Sequence, residues 1–235
     1  MANIALLIAG GSGSRMHLDI PKQFLIVNER PVIVYTMEAF ENHPAIDAIA
    51  VVCIAGWEQV LTEYAAQYHI TKLKHIIPGG HNGQASIRNG IFELEKHYRP
   101  DDLVLIHDGN RPLVSADIIS DNIRVAKEHG NAVTVIPCIE AMVETTDGAT
   151  SCGSYPRDNL KRSQTPQAFY LGDICELHRK AKQAGITDSI SSCTLKIELG
   201  ETVYFSAGSE INIKLTMPED IAIFKAFLAA QHSDE

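Results

Sequence analysis

Long apolar runs are missing from this sequence. Nothing in its 235 residues approaches the ~18 consecutive apolar positions that a membrane-spanning helix needs. The first apolar run follows Met1 within a few residues. No basic segment precedes it and no small-residue cleavage site follows, so it reads as a first β-strand and not as a signal peptide. Positive charge is also in short supply: 20 Lys and Arg stand against 29 Asp and Glu, a formal net charge of -9. That balance argues against a general nucleic-acid binder or a peripheral membrane protein, although a local cationic site can still hold phosphates. The five cysteines, Cys53, Cys138, Cys152, Cys175 and Cys193, are odd in number and contain no C-x-x-C pair. This favours a reducing, cytoplasmic setting with the thiols mostly buried. Ten histidines are present without H-x-x-x-H or H-E-x-x-H spacing, and they read as scattered, partly exposed residues. No internal repeat or low-complexity tract occurs.

What is present is an alternation of β-branched apolar runs with helix-period segments. The runs Ile4–Ala9, Ala48–Cys53, Leu73–Ile77, Leu103–His107 and Ala132–Pro137 read as strands. Val32–Phe40, Trp57–Tyr68, Ala85–Tyr98 and Ser115–Glu128 read as amphipathic helices between them. The third helix puts Ile87, Ile91 and Leu94 on one face, as a helix packed on a sheet should. The pattern predicts one α/β domain over 1–235: a mostly parallel sheet covered on both faces, with ligands beyond the carboxyl ends of the strands. After Pro137 the alternation falters. Residues 138–157 read as an excursion with T-T-D-G at 145–148 turning a hairpin, whose apolar Ile139, Met142 and Val143 need a partner surface. The alternative is a surface loop. A helix near Asp173–Ala184 follows, then a short helix with Asp188 as N-cap, strands near Val203–Ser206 and Ile211–Leu215, and a last helix. That helix opens T-M-P-E with Thr216 as cap and Glu219 three residues on.

The chemistry begins in LLIAGGSGSRMHLDIPKQF, Leu6 to Phe24. Met16 stands where G-x-G-x-x-G requires its third glycine, and Lys22 is followed by Gln23, not by the Ser or Thr of a G-K-[ST] loop. Gly10, Gly11 and Gly13 can nonetheless turn backbone N–H groups toward an anion. Arg15 adds a planar fork matched to phosphate oxygens and Lys22 a mobile point charge. Taken alone, the segment is either a phosphate site or a tight turn with surface cations.

The order of motifs narrows the choice. L-x-A-G-G-x-G-x-R-M is followed by P-K-Q, P-G-G at 78–80 with Ser86 beyond it, H-D-x-x-R-P at 107–112, Q-T-P-Q-x-F at 164–169 and N-I-K-L-T at 212–216. Over nearly its whole length the chain resembles the cytidylyltransferases that make CDP-methylerythritol in isoprenoid synthesis and CDP-ribitol in teichoic-acid or capsule synthesis. The resemblance implies a Rossmann-like three-layer α/β/α nucleotidyltransferase domain with a mixed, mostly parallel sheet and a protruding β-hairpin arm. It implies transfer of CMP from CTP to a polyol phosphate, with Mg²⁺ as cofactor and pyrophosphate as the leaving product. By the same resemblance Arg15, Lys22 and Lys214 stabilise charge at the α-phosphate. Ala9, Gly10, Gly11, Gly13, Gly80, Ser86 and Asp108 bind CTP, with Asp108 near the metal. Arg157, Thr165 and Arg111 bind the acceptor, and the arm at about 138–157 forms a homodimer in which Arg157 reaches the other subunit's site.

Two departures stand out. Gly83 occupies a position where the family often has arginine, and Ala141 one where it generally has threonine. Gly56-Trp57, S-I-R-N at 86–89 and S-S-C at 191–193 look closer to the ribitol branch, which makes D-ribitol 5-phosphate the favoured acceptor. 2-C-methyl-D-erythritol 4-phosphate is the alternative, and another alditol phosphate stays open. Two further readings are a nucleotidyltransferase using another nucleotide and a nucleotide-binding module without catalysis.

Overall fold

The protein was analysed as a computed structural model that describes residues 1–11 and 20–231. Gly13 and Arg15 lie outside the described residues. The first strand, β1 (Asn3–Ala9), is buried along nearly its whole length. Its run of Ile, Ala and Leu suits a central strand covered on both faces. It pairs in parallel with β4 (Ala48–Cys53) on one side and with β6 (Leu103–Asp108) on the other. Between β1 and β4 lie the short strands β2 (Ile26–Val27) and β3 (Arg30–Pro31) and helix α1 (Val32–Glu41). Helix α2 (Glu58–Gln67) leads to β5 (Leu73–Pro78), and α3 (Gly83–Leu94) leads to β6. The chain continues through α4 (Ala116–His129) and β7 (Asn131–Pro137) into the arm, β8 (Met142–Glu144) and β9 (Gly153–Tyr155). It returns through β10 (Lys161–Tyr170), α5 (Leu171–Gln183), α6 (Ser192–Glu198), β11 (Phe205–Ala207) and α7 (Pro218–Gln231).

The main sheet has seven strands in the order β11-β7-β10-β6-β1-β4-β5. Its pairings are parallel except around β10, which runs antiparallel to β6 and β7. Side chains alternate along β1: Ala5, Leu7 and Ala9 join a core formed with α1, α2 and α4, while Ile4 and Leu6 join one formed with α3, α5 and α6. The result is a three-layer α/β/α domain. Ile87, Ile91 and Leu94 of α3 are all in the second core. Gly90 on the same helix lies so close to the sheet that a Cβ would stand 2.8 Å from a Leu6 methyl carbon and 2.9 Å from one of Val52. Cys53, Cys138, Cys175 and Cys193 are buried and Cys152 is exposed. Among the described residues no helix is long and apolar enough to cross a membrane.

Four expectations need correction. The long strand β10 is not apparent from sequence, because its Q-T-P-Q reads as a polar turn. It instead carries an irregularity between Ser163 and Gln167. Ile211–Leu215 is not a strand, because side chains take its backbone carbonyls: Arg111 Nη1 donates to Asn212 O (2.7 Å) and Asn110 Nδ2 to Leu215 O. The N-cap of α6 is Ser191, in a reciprocal pair with Thr194, while Asp188 accepts from Asn82 Nδ2 at 2.9 Å. At α7 the acidic side chain reaching back is Asp220, not Glu219; its Oδ2 accepts from Thr216 and Met217 N–H at 2.6 and 2.8 Å.

The arm is a β-hairpin, with Met142 opposite Tyr155 and Glu144 opposite Gly153. Its connection is wider than a two-residue turn and is organised by Asp147, which accepts from the N–H groups of Ala149 and Thr150 at 2.9 and 2.8 Å. Ile139, Met142, Val143 and Tyr155 are exposed on it.

The start of β1 is fastened by Asp102, which is buried and accepts from Ala2 N–H (2.6 Å) and Arg99 N–H (2.9 Å). Burial works to raise its carboxyl, but those two N–H bonds outweigh it and hold the pKa below the ordinary 3.8. A depressed carboxyl stabilises the fold fully above its unfolded pKa and loses that contribution as pH falls through the native value. Asp102→Asn should therefore cost about 1–3 kcal/mol at pH 7, measured by urea unfolding. The difference from the parent should shrink as pH falls below the ordinary 3.8 of an aspartate carboxyl.

Candidate active site

Beyond the carboxyl ends of β1 and β6 lies a cleft of about 750 Å³. Ala9, Gly10 and Gly11 line it from the end of β1, and Gly80 and Ser86 from the β5–α3 turn. Asp108 and Arg111 line it after β6, Thr165 from the β10 irregularity, and Lys22 and Lys214 complete the wall. Ten residues anticipated from sequence thus share one cleft, though they come from distant parts of the chain. Arg157 does not line it: this exposed residue sits on a 3-10 turn at Arg157–Asn159.

Two glycine turns meet at the cleft floor. A Cβ on Gly10 would stand 3.2 Å from Ser86 Oγ and 3.3 Å from Gly79 Cα, so the segments after β1 and β5 pass almost backbone to backbone. Gly80 has no room for a side chain at all, since a Cβ there would fall 2.5 Å from that of Ala85. Ser86 Oγ accepts from Gly80 N–H at 3.0 Å, which holds the turn and leaves the hydroxyl proton available to a ligand. Asn82 caps α3 by accepting from Ala85 N–H at 2.8 Å. A Cβ on Gly83 would meet no atom within 4 Å, so this departure from the family pattern leaves open space on the cleft wall.

The electrostatic centre is Asp108, at the end of β6. Its Oδ2 accepts from Arg111 Nε at 3.0 Å and its Oδ1 from Lys214 Nζ at 2.9 Å. Burial would raise the carboxyl, but Lys214 and then Arg111 outweigh it and bring the pKa down to about 2. Lys214 reaches this point because its neighbours are fixed. Asn212 and Leu215 are buried, Asn212 Nδ2 donates to Thr165 O at 2.9 Å, and Asn110 Nδ2 donates to Leu215 O. Gln164 Nε2 donates to Ser209 O at 2.8 Å.

Behind Asp108, His107 is fully buried with its pKa pushed down to about 4, chiefly by burial. It is therefore neutral at pH 7. One consistent arrangement follows: Nε2–H donates to Arg111 O (3.2 Å), and Nδ1 accepts from the Thr165 hydroxyl (3.0 Å). The same hydroxyl oxygen accepts from Asp108 N–H at 3.0 Å. The Thr165 proton is thus committed inside the protein, so Thr165 braces the Asp108 turn and offers a ligand no donor.

Among the described residues lining the cleft, Lys22, Arg111 and Lys214 are the Lys and Arg side chains and Asp108 the one carboxylate. The lining is locally positive on a chain of net charge -9, which suits a polyanion held at short range. Among the described residues no three His, Cys, Asp or Glu side chains cluster to hold a metal. Contributors to which sequence reasoning gave no role are uncharged: Gln23, Gln164 and Asn212 stand inside the quoted motifs and Asn110 at a variable position of H-D-x-x-R-P. Ile190, Ser191 and Ser192 also line the cleft.

Known proteins are similar to this chain over nearly its whole length. The chain is 42% identical to ribitol-5-phosphate cytidylyltransferase of Lacticaseibacillus paracasei, over 95% of this chain and 97% of that one. It is 35% identical to 2-C-methyl-D-erythritol 4-phosphate cytidylyltransferase of Clostridium botulinum, over 96% and 97%. The solved 4-diphosphocytidyl-2C-methyl-D-erythritol synthase of Anaerococcus prevotii superposes with a TM-score of 0.82 at 25% identity, covering 97% of this chain and 96% of that one. The profile of the 2-C-methyl-D-erythritol 4-phosphate cytidylyltransferase (IspD) family matches residues 3–230. With its glycine turns, Asp108 and Lys214 gathered at one cleft, the chain belongs to that family and is a nucleotidyltransferase of the cytidylyl class.

Proposed function

We propose that this enzyme transfers CMP from CTP to D-ribitol 5-phosphate, giving CDP-ribitol and pyrophosphate, in the cytoplasm. The observation that carries the reaction is the cationic cleft, lined by Lys22, Arg111 and Lys214, of which the last two hold the Asp108 carboxylate. The acceptor rests on the full-length likeness to a ribitol-5-phosphate cytidylyltransferase, 42% against 35% for the methylerythritol relative. The family profile supports 2-C-methyl-D-erythritol 4-phosphate as the second reading.

An oxygen of the acceptor phosphate attacks the α-phosphorus of CTP, a new P–O bond forms, and the bond to the β-phosphate oxygen breaks to release pyrophosphate. The attacking oxygen is already ionised, since a phosphate monoester loses its second proton near pH ~6. No general base is needed, and His107 could not serve as one with both ring nitrogens engaged. The protein's work is to align two polyanions and neutralise the charge growing on the α-phosphoryl group. Lys22 and Lys214 take that role, with Arg15 from the glycine segment. Gly10 and Gly11 let the backbone approach the triphosphate, while Gly80 and Ser86 face the base.

Asp108 suits Mg²⁺: it is a hard oxygen donor, and one carboxylate completed by substrate phosphates is the usual protein share of such a site. Asp108 would hold the ion together with the phosphates of CTP, and the bound ion would screen charge on the α-phosphoryl group. For Arg157 the reading is a second copy of the chain. Its absence from its own cleft and the exposed Ile139, Met142, Val143 and Tyr155 of the arm support a homodimer in which the arm delivers Arg157 to the partner's acceptor site.

Three outcomes follow. In a pyrophosphate-release assay with CTP and Mg²⁺, ribitol 5-phosphate should give the highest kcat/KM among ribitol, methylerythritol and other alditol phosphates; preference for methylerythritol phosphate would reverse the acceptor assignment. Lys22→Ala and Arg15→Ala should each lower kcat by about 10²–10³-fold with an unchanged melting temperature. Near-normal turnover in either would remove it from the mechanism. Arg157→Ala should raise KM for the acceptor and leave CTP binding unaltered, and mixing it with an inactive Lys22→Ala chain should restore activity through hybrid dimers. No recovery in hybrids of confirmed composition would place Arg157 outside the partner's site.

A further inference from the structure

Gln23 follows Lys22 and is only 2% exposed although it borders the cleft. Its amide nitrogen donates to Ala9 O at 2.6 Å and to Gly11 O at 3.1 Å. A side-chain amide has two N–H donors, and both are spent on these two carbonyls. The carbonyls belong to the residues where the glycine-rich segment leaves β1; Gln23 stands where the chain has returned from it. One side chain therefore ties the Lys22–Phe24 turn to the end of β1 and to Gly11.

The return is anchored on its other side as well. Phe24 N–H donates to Pro21 O at 2.8 Å. The Phe24 ring is buried and stacks on Trp57 with centroids 4.5 Å apart. Lys22 thus sits in a 3-10 turn, Lys22–Phe24, with the polar clasp of Gln23 and the aromatic anchor of Phe24 immediately after it. An amide suits this place for an electrostatic reason. It draws two carbonyl oxygens inward, where their lone pairs would otherwise repel a triphosphate, and it adds no charge. A carboxylate of the same shape would repel both oxygens.

We propose that Gln23 is a positioning residue for CTP: its amide clasps the base of the glycine segment and fixes Lys22 against the end of β1. The proposal rests on the cytidylyltransferase reading and adds to it a requirement for a neutral double donor at this position. Because Trp57 is the chain's one tryptophan and stacks on Phe24, its emission reports on this segment without any turnover.

The test compares Gln23→Leu and Gln23→Glu with the parent by CTP titration of Trp57 emission, by steady-state kinetics with CTP and ribitol 5-phosphate, and by thermal melting. Gln23→Leu should weaken CTP binding about fivefold or more and lower kcat about tenfold, with KM for the acceptor within about twofold. Its melting temperature should stay within a few degrees of the parent's, and Gln23→Glu should be the more severe change. CTP affinity and kcat within about twofold of the parent in Gln23→Leu would overturn the proposal. So would an equal loss toward both substrates accompanied by a large drop in melting temperature, the mark of a general scaffold residue. The titration needs no acceptor, so a parent enzyme inactive with ribitol 5-phosphate would defeat the acceptor reading alone.

Discussion

The contact on which the site depends is the Asp108 carboxylate held between Arg111 and Lys214. It joins the end of a central strand to a segment more than a hundred residues further along the chain. Without a counterion, Lys214 and Arg111 would repel one another across the cleft; without the cations, a half-buried carboxylate would lose hydration for no return. Each charge makes the others tolerable. Three donors on Lys and five on Arg greatly exceed what one carboxylate accepts, so the pairing orients the cations without exhausting them. The surplus is what a nucleotide and a second phosphate can use.

The scaffold around that junction is built almost entirely from amides and hydroxyls. Asn110, Gln164 and Asn212 take backbone groups in and around the 209–215 segment, Thr165 and His107 tie the Asp108 turn, and Gln23 ties the glycine segment. A neutral hydrogen-bonding group can fix backbone without changing the field of the cleft. The same bonds made by Lys or Glu would add charge within a few ångströms of the phosphates. Division of labour between neutral supports and charged contacts lets a strongly acidic protein keep one positive cleft.

The layout was largely legible in sequence where apolar runs decide structure. β4 coincides with its expected bounds because all six residues are buried, and β1 extends its expectation by one residue. Legibility failed where side chains, not backbone ladders, set the conformation. Ile211–Leu215 alternates apolar and polar residues as a half-buried strand does, yet its backbone bonds go to Asn110, Arg111, Ser209 and the segment itself and not to a neighbouring strand. The alternation there does not track burial: polar Asn212 and apolar Leu215 are buried, while apolar Ile211 is exposed. β10 was hidden for the converse reason, since its pairing continues on either side of a polar, proline-containing interruption. The site was legible by motif order but not by role. Nothing in Q-T-P-Q says that the Thr165 proton is already committed to His107, and nothing in P-K-Q says that the glutamine faces two carbonyls.

On the proposed reading the two halves of the reaction are anchored differently, and the difference follows from geometry. The nucleotide side is built into the sheet: Gly10 and Gly79 touch nearly backbone to backbone, so the segments after β1 and β5 cannot shift independently. Any change there disturbs the packing of the central strands. The arm has no such constraint. It leaves the sheet between β7 and β10, is stabilised by its own short pairing and by Asp147, and exposes its apolar residues. Substitutions on it, Ala141 among them, alter a surface and not a core. On the proposed reading, a fold arranged this way can change its acceptor through the arm while its handling of the triphosphate stays fixed by packing. Two acceptor chemistries among relatives of one architecture are what that division of constraint allows.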